Sequence, residues 1–212
     1  MAKIGVIGGL GVYAGLDFCR RLTASGIPEY VLFSTSKHDL EKDKANSILV
    51  KNYLEEATNS LVKAGCSKII ICCNTAHAHL NSLEPYFTPD LFLSLVDGAK
   101  HLSPEDGSVA ILCTPSARRH VYEELFPASF AKTSESFNLE VQTISSLVKI
   151  GEFSKAKLRL DSLIKQLTAI GFHKYLIACT ELSFFFETLN LEKEIVIFDT
   201  VEFAIHQITE LT

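Results

Sequence analysis

The chain carries one short pattern twice. Set beside each other, GCSKIIICCNTA (65–76) and GFHKYLIACTEL (171–182) match Gly65 with Gly171, Lys68 with Lys174 and Cys73 with Cys179, each pair 106 positions apart by subtraction. The helix-like stretch ahead keeps the same offset, Leu54 to Leu160 and Leu61 to Leu167. At an offset of 105, KIGVIGG (3–9) lies over SVAILCT (108–114), strand over strand and turn over turn. Four elements in nearly one register indicate a duplicated unit rather than chance likeness between amphipathic segments. Short continuous apolar runs fall at 3–7, 30–33, 68–72, 91–95, 108–112, 140–142, 174–178 and 195–198, and helical periodicity at 46–64, 118–125, 154–170 and 201–211. Apolar runs separated by helices predict parallel sheet covered on both faces. The expected class is therefore α/β, with two pseudo-symmetric lobes, each a mainly parallel sheet flanked by helices, and an active site in the cleft between them. The lobes are expected at 1–95 plus 200–212 and at 96–199, the last helix crossing back to the first lobe.

Parallel sheets gather functional groups where strands end in loops and helix N-termini. Cys73 and Cys179 hold the same such position in the two copies, each followed by polar residues, Asn74-Thr75 and Thr180-Glu181. The other cysteines have plainer readings. Cys19 and Cys66 sit among apolar neighbours as core fillers, and strand alternation turns Cys72 away from Cys73. Cys113 closes a strand ahead of Thr114 and Ser116 and is a weaker candidate. Six cysteines without a secretory signal read as reduced thiols in a cytoplasmic protein, since MAKIGVIGGLGVYAG is too broken by glycine for a signal peptide. A net charge of −5 with no basic stripe excludes non-specific nucleic-acid binding. No apolar run approaches the ~20 residues of a membrane span.

A cysteine just ahead of a helix N-terminus is expected to have its pKa lowered from ~8.5 towards neutrality. A matched pair then exists as one thiolate and one thiol. Inverting a stereocentre needs that combination, a base on one face of Cα and an acid on the other. Asn74, Thr75 and Thr180, with nearby backbone amides, are placed to hold an α-carboxylate and the charge that develops on it. The scheme needs neither metal nor pyridoxal cofactor.

CCNTAH (72–77) and ACTEL (178–182) resemble the two signature motifs of the aspartate/glutamate racemase superfamily, the pyridoxal-independent amino-acid racemases. KIGVIGGLGVYAG resembles that family's first strand and glycine loop, and the likeness extends through TPSARRHVYEEL (114–125), LVKIGEF (147–153) and FDTVEFAIH (198–206). Glu181 where glutamate racemases typically have His, and Gly8-Gly9 in place of an Asp-Ser pair, favour the aspartate racemase branch. The resemblance implies Cys73 and Cys179 as catalytic acid/bases. It implies Asn74, Thr75, Thr180 and Glu181 around the substrate, with Thr114 and Ser116 lining the second lobe. Gly9, Ser34 and Thr35 are expected on the first lobe's loops, and Lys149 near a distal carboxylate, although a solvated surface lysine is an equal reading. A small-molecule amino-acid substrate and a homodimer are implied, with no nucleic-acid or membrane partner. The chain departs from the family at Val12 and Gly15, where Pro and Thr are usual. Segment 34–44 carries no Arg, which opens the substrate to variation.

Rival readings rest on less. GGLGVYAG lacks regular G-x-G-x-x-G spacing, and no acidic residue closes the second strand to hold a ribose. Zinc held by Cys72, Cys73, His77 and His79 would ask adjacent cysteines to share one ion and two splayed histidines to converge. A redox dithiol would want C-x-x-C, which is absent. Within the superfamily, a small-diacid isomerase or a decarboxylase stays open, as does a binding protein that retained the pocket.

Overall fold

The computed structural model describes residues 2–8, 11–27, 29–34, 47–83, 89–102, 107–189 and 194–211. The chain divides into two compact units, Met1–Leu95 with Ala204–Thr212, and Val96–Phe203. In the first, β1 (Ile4–Gly8), α1 (Val12–Ala24), β2 (Tyr30–Phe33), α2 (Ser47–Lys63), β3 (Lys68–Cys72), α3 (Leu80–Leu83) and β4 (Phe92–Leu93) build a four-stranded sheet ordered β2-β1-β3-β4. Every pairing in it is parallel. In the second, β5 (Val109–Leu112), α4 (Pro115–Ala117), α5 (Pro127–Lys132), α6 (Glu135–Lys149), α7 (Phe153–Ala169), β6 (Lys174–Ile177), α8 (Thr180–Ser183) and β7 (Val196–Asp199) give the parallel order β5-β6-β7. The unit boundary falls inside α9 (Thr200–Leu211).

The α/β class with helix-flanked parallel sheets is as the apolar runs predict. Alternation along each strand feeds two cores. Ala110, Leu112, Tyr175 and Ile177 pack with α6 and α7, whereas Val109, Ile111 and Leu176 pack with Tyr122, Phe126 and Phe130. In the first unit, Ile7, Ile69 and Ile71 pack with Leu54, Ala57 and Leu61 of α2.

The internal repeat has a structural counterpart. Ile4 pairs with Lys68 in one sheet, and Val109 pairs with Lys174 in the other. Each matched turn glycine is left-handed, Gly65 at φ 84° and Gly171 at φ 97°. At Gly65, the glycine N–H bonds to Val62 O (2.9 Å) and the next N–H, of Cys66, to Leu61 O (3.0 Å). At Gly171 the same pair runs to Thr168 O (2.9 Å) and from Phe172 to Leu167 O (3.1 Å). This helix stop satisfies two orphan carbonyls and favours glycine, which alone adopts positive φ without Cβ strain.

Three sequence expectations are corrected. Residues 140–142 are not a strand but the middle of α6, which buries Asn138, Val141, Ile144, Ser145 and Val148 at helical spacing. Segment 118–125 opens as a wide π-turn, Arg118–Tyr122, followed by turn residues rather than an α-helix. The strand expected at 91–95 shrinks to Phe92–Leu93, preceded by a 3₁₀ turn Pro89–Leu91. Past β1, the glycine-broken stretch from Val12 forms α1. A Cβ at Gly15 would stand 3.2 Å from Gly8 Cα, so a side chain there would push helix and strand apart.

Candidate active site

In the first unit the chain leaves β3 between its adjacent cysteines. Cys72 is still on the strand, fully buried, with its Sγ 3.6 Å from Ala14 O. Cys73 N–H donates to Ile71 O at 2.8 Å, a tight turn that takes the next residue off the sheet. Half-buried Cys73 lines one small pocket with Ile7, Gly8, Tyr53, Ile71 and Ala76 at the carboxyl end of the strands. Buried Asn74 and half-buried Thr75 open a 3₁₀ turn, Thr75–His79. Ala76 N–H and His77 Nδ1 both meet the Cys73 carbonyl, at 3.2 and 2.9 Å, and His77 Nε2 lies 3.0 Å from Leu95 N.

Tyr53 was not legible as a site residue. From α2 its hydroxyl donates to Gly8 O at 3.1 Å. Burial, then the nearby Cys73 and Glu56 charges, push its pKa up to about 12. In sequence it is one more apolar position of an amphipathic helix; only the packing of α2 on β1 brings it here.

In the second unit Cys179 caps the single-turn α8. Its thiol donates to Glu181 Oε2 at 3.3 Å, and Glu181 Oε1 lies 3.8 Å from Lys149 Nζ at the end of α6. Thr180 Oγ1 is 3.5 Å from Glu181 Oε2. Thr180, Glu181 and Cys179 are all buried. The pKa expected near neutrality is overturned here. Burial pushes the Cys179 thiol well above its ordinary value; the Glu181 charge and the hydrogen bond to its carboxylate push the same way. Lys149 and the Glu181 backbone N–H oppose them. A helix of one turn carries too little dipole to reverse a desolvation of that size.

Lys149, Thr180 and Glu181 thus gather around Cys179, and the reading of Lys149 as a solvated surface lysine fails. On the adjoining strand exit, buried Thr114 caps α4 by accepting Ala117 N–H at 3.3 Å, and Ser116 follows it, half-buried. Cys113 is buried, its carbonyl accepting from Asn138 Nδ2 at 2.9 Å, and burial drives its pKa up. Cys19 and Cys66 are buried, Cys19 with its pKa raised to about 11 by desolvation. Exposed Ser34 follows β2 and crowds Gly8: a Cβ there would meet Ser34 Oγ at 2.7 Å. Gly9 and Thr35 lie outside the described residues. Among the described residues no group of three or more His, Cys, Asp or Glu converges as a metal site. None of their helices is long and apolar enough to cross a membrane.

None of the curated protein sequences matches the chain. Solved structures do resemble it. The aspartate racemase of Picrophilus torridus aligns over 99% of this chain and 94% of its own, with TM-score 0.76 and 21% identity. An aspartate racemase homologue from Pyrococcus horikoshii OT3 aligns over 100% and 99%, with TM-score 0.69 and 18% identity. The allantoin racemase of Klebsiella pneumoniae aligns over 100% and 87%, with TM-score 0.69 and 15% identity. Such identities speak for a shared fold. The sequence model of Asp/Glu/Hydantoin racemases matches residues 7–208, nearly the whole length. The chain belongs to the Asp/Glu/hydantoin racemase family.

Proposed function

We propose that the chain is a pyridoxal-independent amino-acid racemase acting on aspartate or glutamate, with Cys73 and Cys179 as its two acid/base groups. The observation that carries this reading is the setting of Cys179. A buried thiol keeps its proton against a carboxylate, and an ammonium group balances that carboxylate. Such a thiol is a proton donor at neutral pH. In one direction Cys73 removes the Cα proton as thiolate, and Cys179 delivers its own proton to the opposite face. In the other direction the roles exchange: the Cys179 thiolate left by that step removes the Cα proton, and Cys73, now a thiol, delivers its proton to the opposite face. Asn74, Thr75 and Thr180 hold the α-carboxylate, where negative charge grows as the Cα–H bond breaks, with Thr114 and Ser116 beside them. Lys149, already facing one carboxylate, takes the distal carboxylate of the substrate by a charge-assisted bond. Gly9, Ser34 and Thr35 complete the substrate side of the first unit, and no metal or organic cofactor takes part.

The same high pKa supports a second reading, a decarboxylase that protonates one face only. Incubation of the purified protein with L-aspartate in deuterium oxide separates the two. Racemisation yields D-aspartate carrying deuterium at Cα, and decarboxylation releases carbon dioxide. Neither product, with aspartate or glutamate, would leave only a binding protein.

A further inference from the structure

We propose that His77 is a positioning residue that fixes the Cys73 peptide to the exit of β4, and so aims the Cys73 thiol; the inference rests on the two-cysteine reading above. The hydrogen-bond directions follow from chemistry. Leu95 N is a backbone amide and can only donate, so His77 Nε2, 3.0 Å away, accepts. The ring proton then sits on Nδ1 and is donated to Cys73 O at 2.9 Å. The buried imidazole is thereby a strut with both nitrogens committed, one on the residue after the strand end and one on a neighbouring chain segment. Fixing the carbonyl fixes the peptide plane that carries Cys73 Cβ, and with it the direction of Sγ.

The second unit reaches the equivalent backbone amide with other residues. Ser183 lies 106 positions after His77, and its Oγ is 3.5 Å from Cys179 O. Ser183 Oγ donates to Asp199 Oδ1 at 2.7 Å, and Asp199 Oδ1 also accepts the N–H of Val201 at 2.9 Å. Val201 is likewise 106 positions after Leu95. The Ser183 proton is thus spent on Asp199, and the Cys179 carbonyl is met by the N–H groups of Leu182 (2.9 Å) and Ser183 (3.2 Å). The residue four on from each cysteine reaches the equivalent backbone amide, directly in the first unit and through Asp199 in the second. A ring that only filled space would not be matched by a serine–aspartate pair at the equivalent amide, and the first unit alone spans from that amide to the cysteine carbonyl with one side chain.

The test uses the full chain with His77→Ala, His77→Asn and His77→Gln. Asn presents an N–H near the Nδ1 position and Gln a carbonyl near Nε2, so each keeps one end of the strut. Iodoacetamide labelling of Cys73 is followed by peptide mass spectrometry between about pH 6 and 9, the range in which thiolate fractions change. His77→Ala and His77→Gln are expected to label at least about fivefold faster than wild type, because a released loop exposes the thiolate, and His77→Asn, which keeps the Cys73 bond but loses the Leu95 anchor, to fall between them and wild type. Labelling of the Ala and Gln variants at the wild-type rate, or rescue by Gln rather than Asn, overturns the proposal. Should His77→Ala fail to fold, the Asn and Gln pair decides it alone. A wild-type protein that exchanges no Cα hydrogen of aspartate sinks the racemase reading, while the labelling comparison still judges His77.

Discussion

At Cys179 a thiol, a carboxylate and an ammonium group share a buried corner, and their balance sets when the sulfur loses its proton. Replacing Glu181 with Gln removes the charge and weakens the acceptor that raise the thiol pKa, and leaves the Lys149 charge unopposed by that carboxylate. The midpoint of Cys179 alkylation is expected to fall in Glu181→Gln and to rise in Lys149→Met, read from pH profiles with iodoacetamide. An unchanged midpoint in both variants would show that burial alone governs the thiol. The neighbouring cysteines of the first unit should part company as well. Cys72→Ala opens a small cavity beside Ala14 costing about 1–2 kcal/mol, measured by urea unfolding, and keeps Cα exchange with aspartate. Cys73→Ala is expected to fold normally and to lose that exchange, read by the same deuterium assay. A matched cysteine at each strand exit is visible in the sequence; the company each sulfur keeps is not. Glu181 reads as a helix-start residue, and Lys149 is far from it in the chain until α6 brings its end to α8.

Elements are where the duplication shows its physical basis and its limit. The helix stops at Gly65 and Gly171 have no atom within 4 Å of a Cβ built there, so an alanine meets backbone strain and no clash. Each Gly→Ala change is expected to cost about 1–2 kcal/mol by urea unfolding, with equal values at the two sites because the turns are equivalent. Free tolerance at either would mean that the turn adopts another conformation. The repeat fails at α6. Phe137, Leu139 and Val141 alternate as a strand would, which is why 140–142 reads as β, yet Leu139 is 57% exposed and the buried set follows the helix. Along the outside of the α6–α7 pair, Arg159 grips Glu140 with two 2.7 Å bonds. That pair is open to solvent, so Glu140→Gln should change stability by less than about 1 kcal/mol.

For the whole molecule, buried thiols and phenols make alkaline pH the weak side. Cys19 is raised to about 11 and Tyr53 to about 12, and Cys113, Cys179 and Tyr122 are raised too, burial being the first cause in each. A raised folded pKa means that the native state keeps protons the unfolded chain has released. Stability from these groups is therefore fully present below the unfolded cysteine value of about 8.5 and drains away above it. The melting temperature should stay level through these groups between about pH 7 and 8 and fall between about pH 8.5 and 10. A level profile to pH 10 would mean that the thiols are wetter than their packing indicates.

Sequence alone determined the features that depend on neighbours along the chain. These are the strand cores, the helix-flanked parallel class, the matched glycines of the repeat and the delivery of Cys73 and Cys179 to polar turns. Apolar periodicity is a local demand, and a local pattern suffices to state it. The tertiary structure decided the rest: the helical state of α6, Tyr53 and His77 beside Cys73, and a Cys179 that holds its proton. Each of these depends on burial and on groups remote in sequence. Protonation in particular follows the loss of water around a sulfur, which is settled only when distant segments close over it.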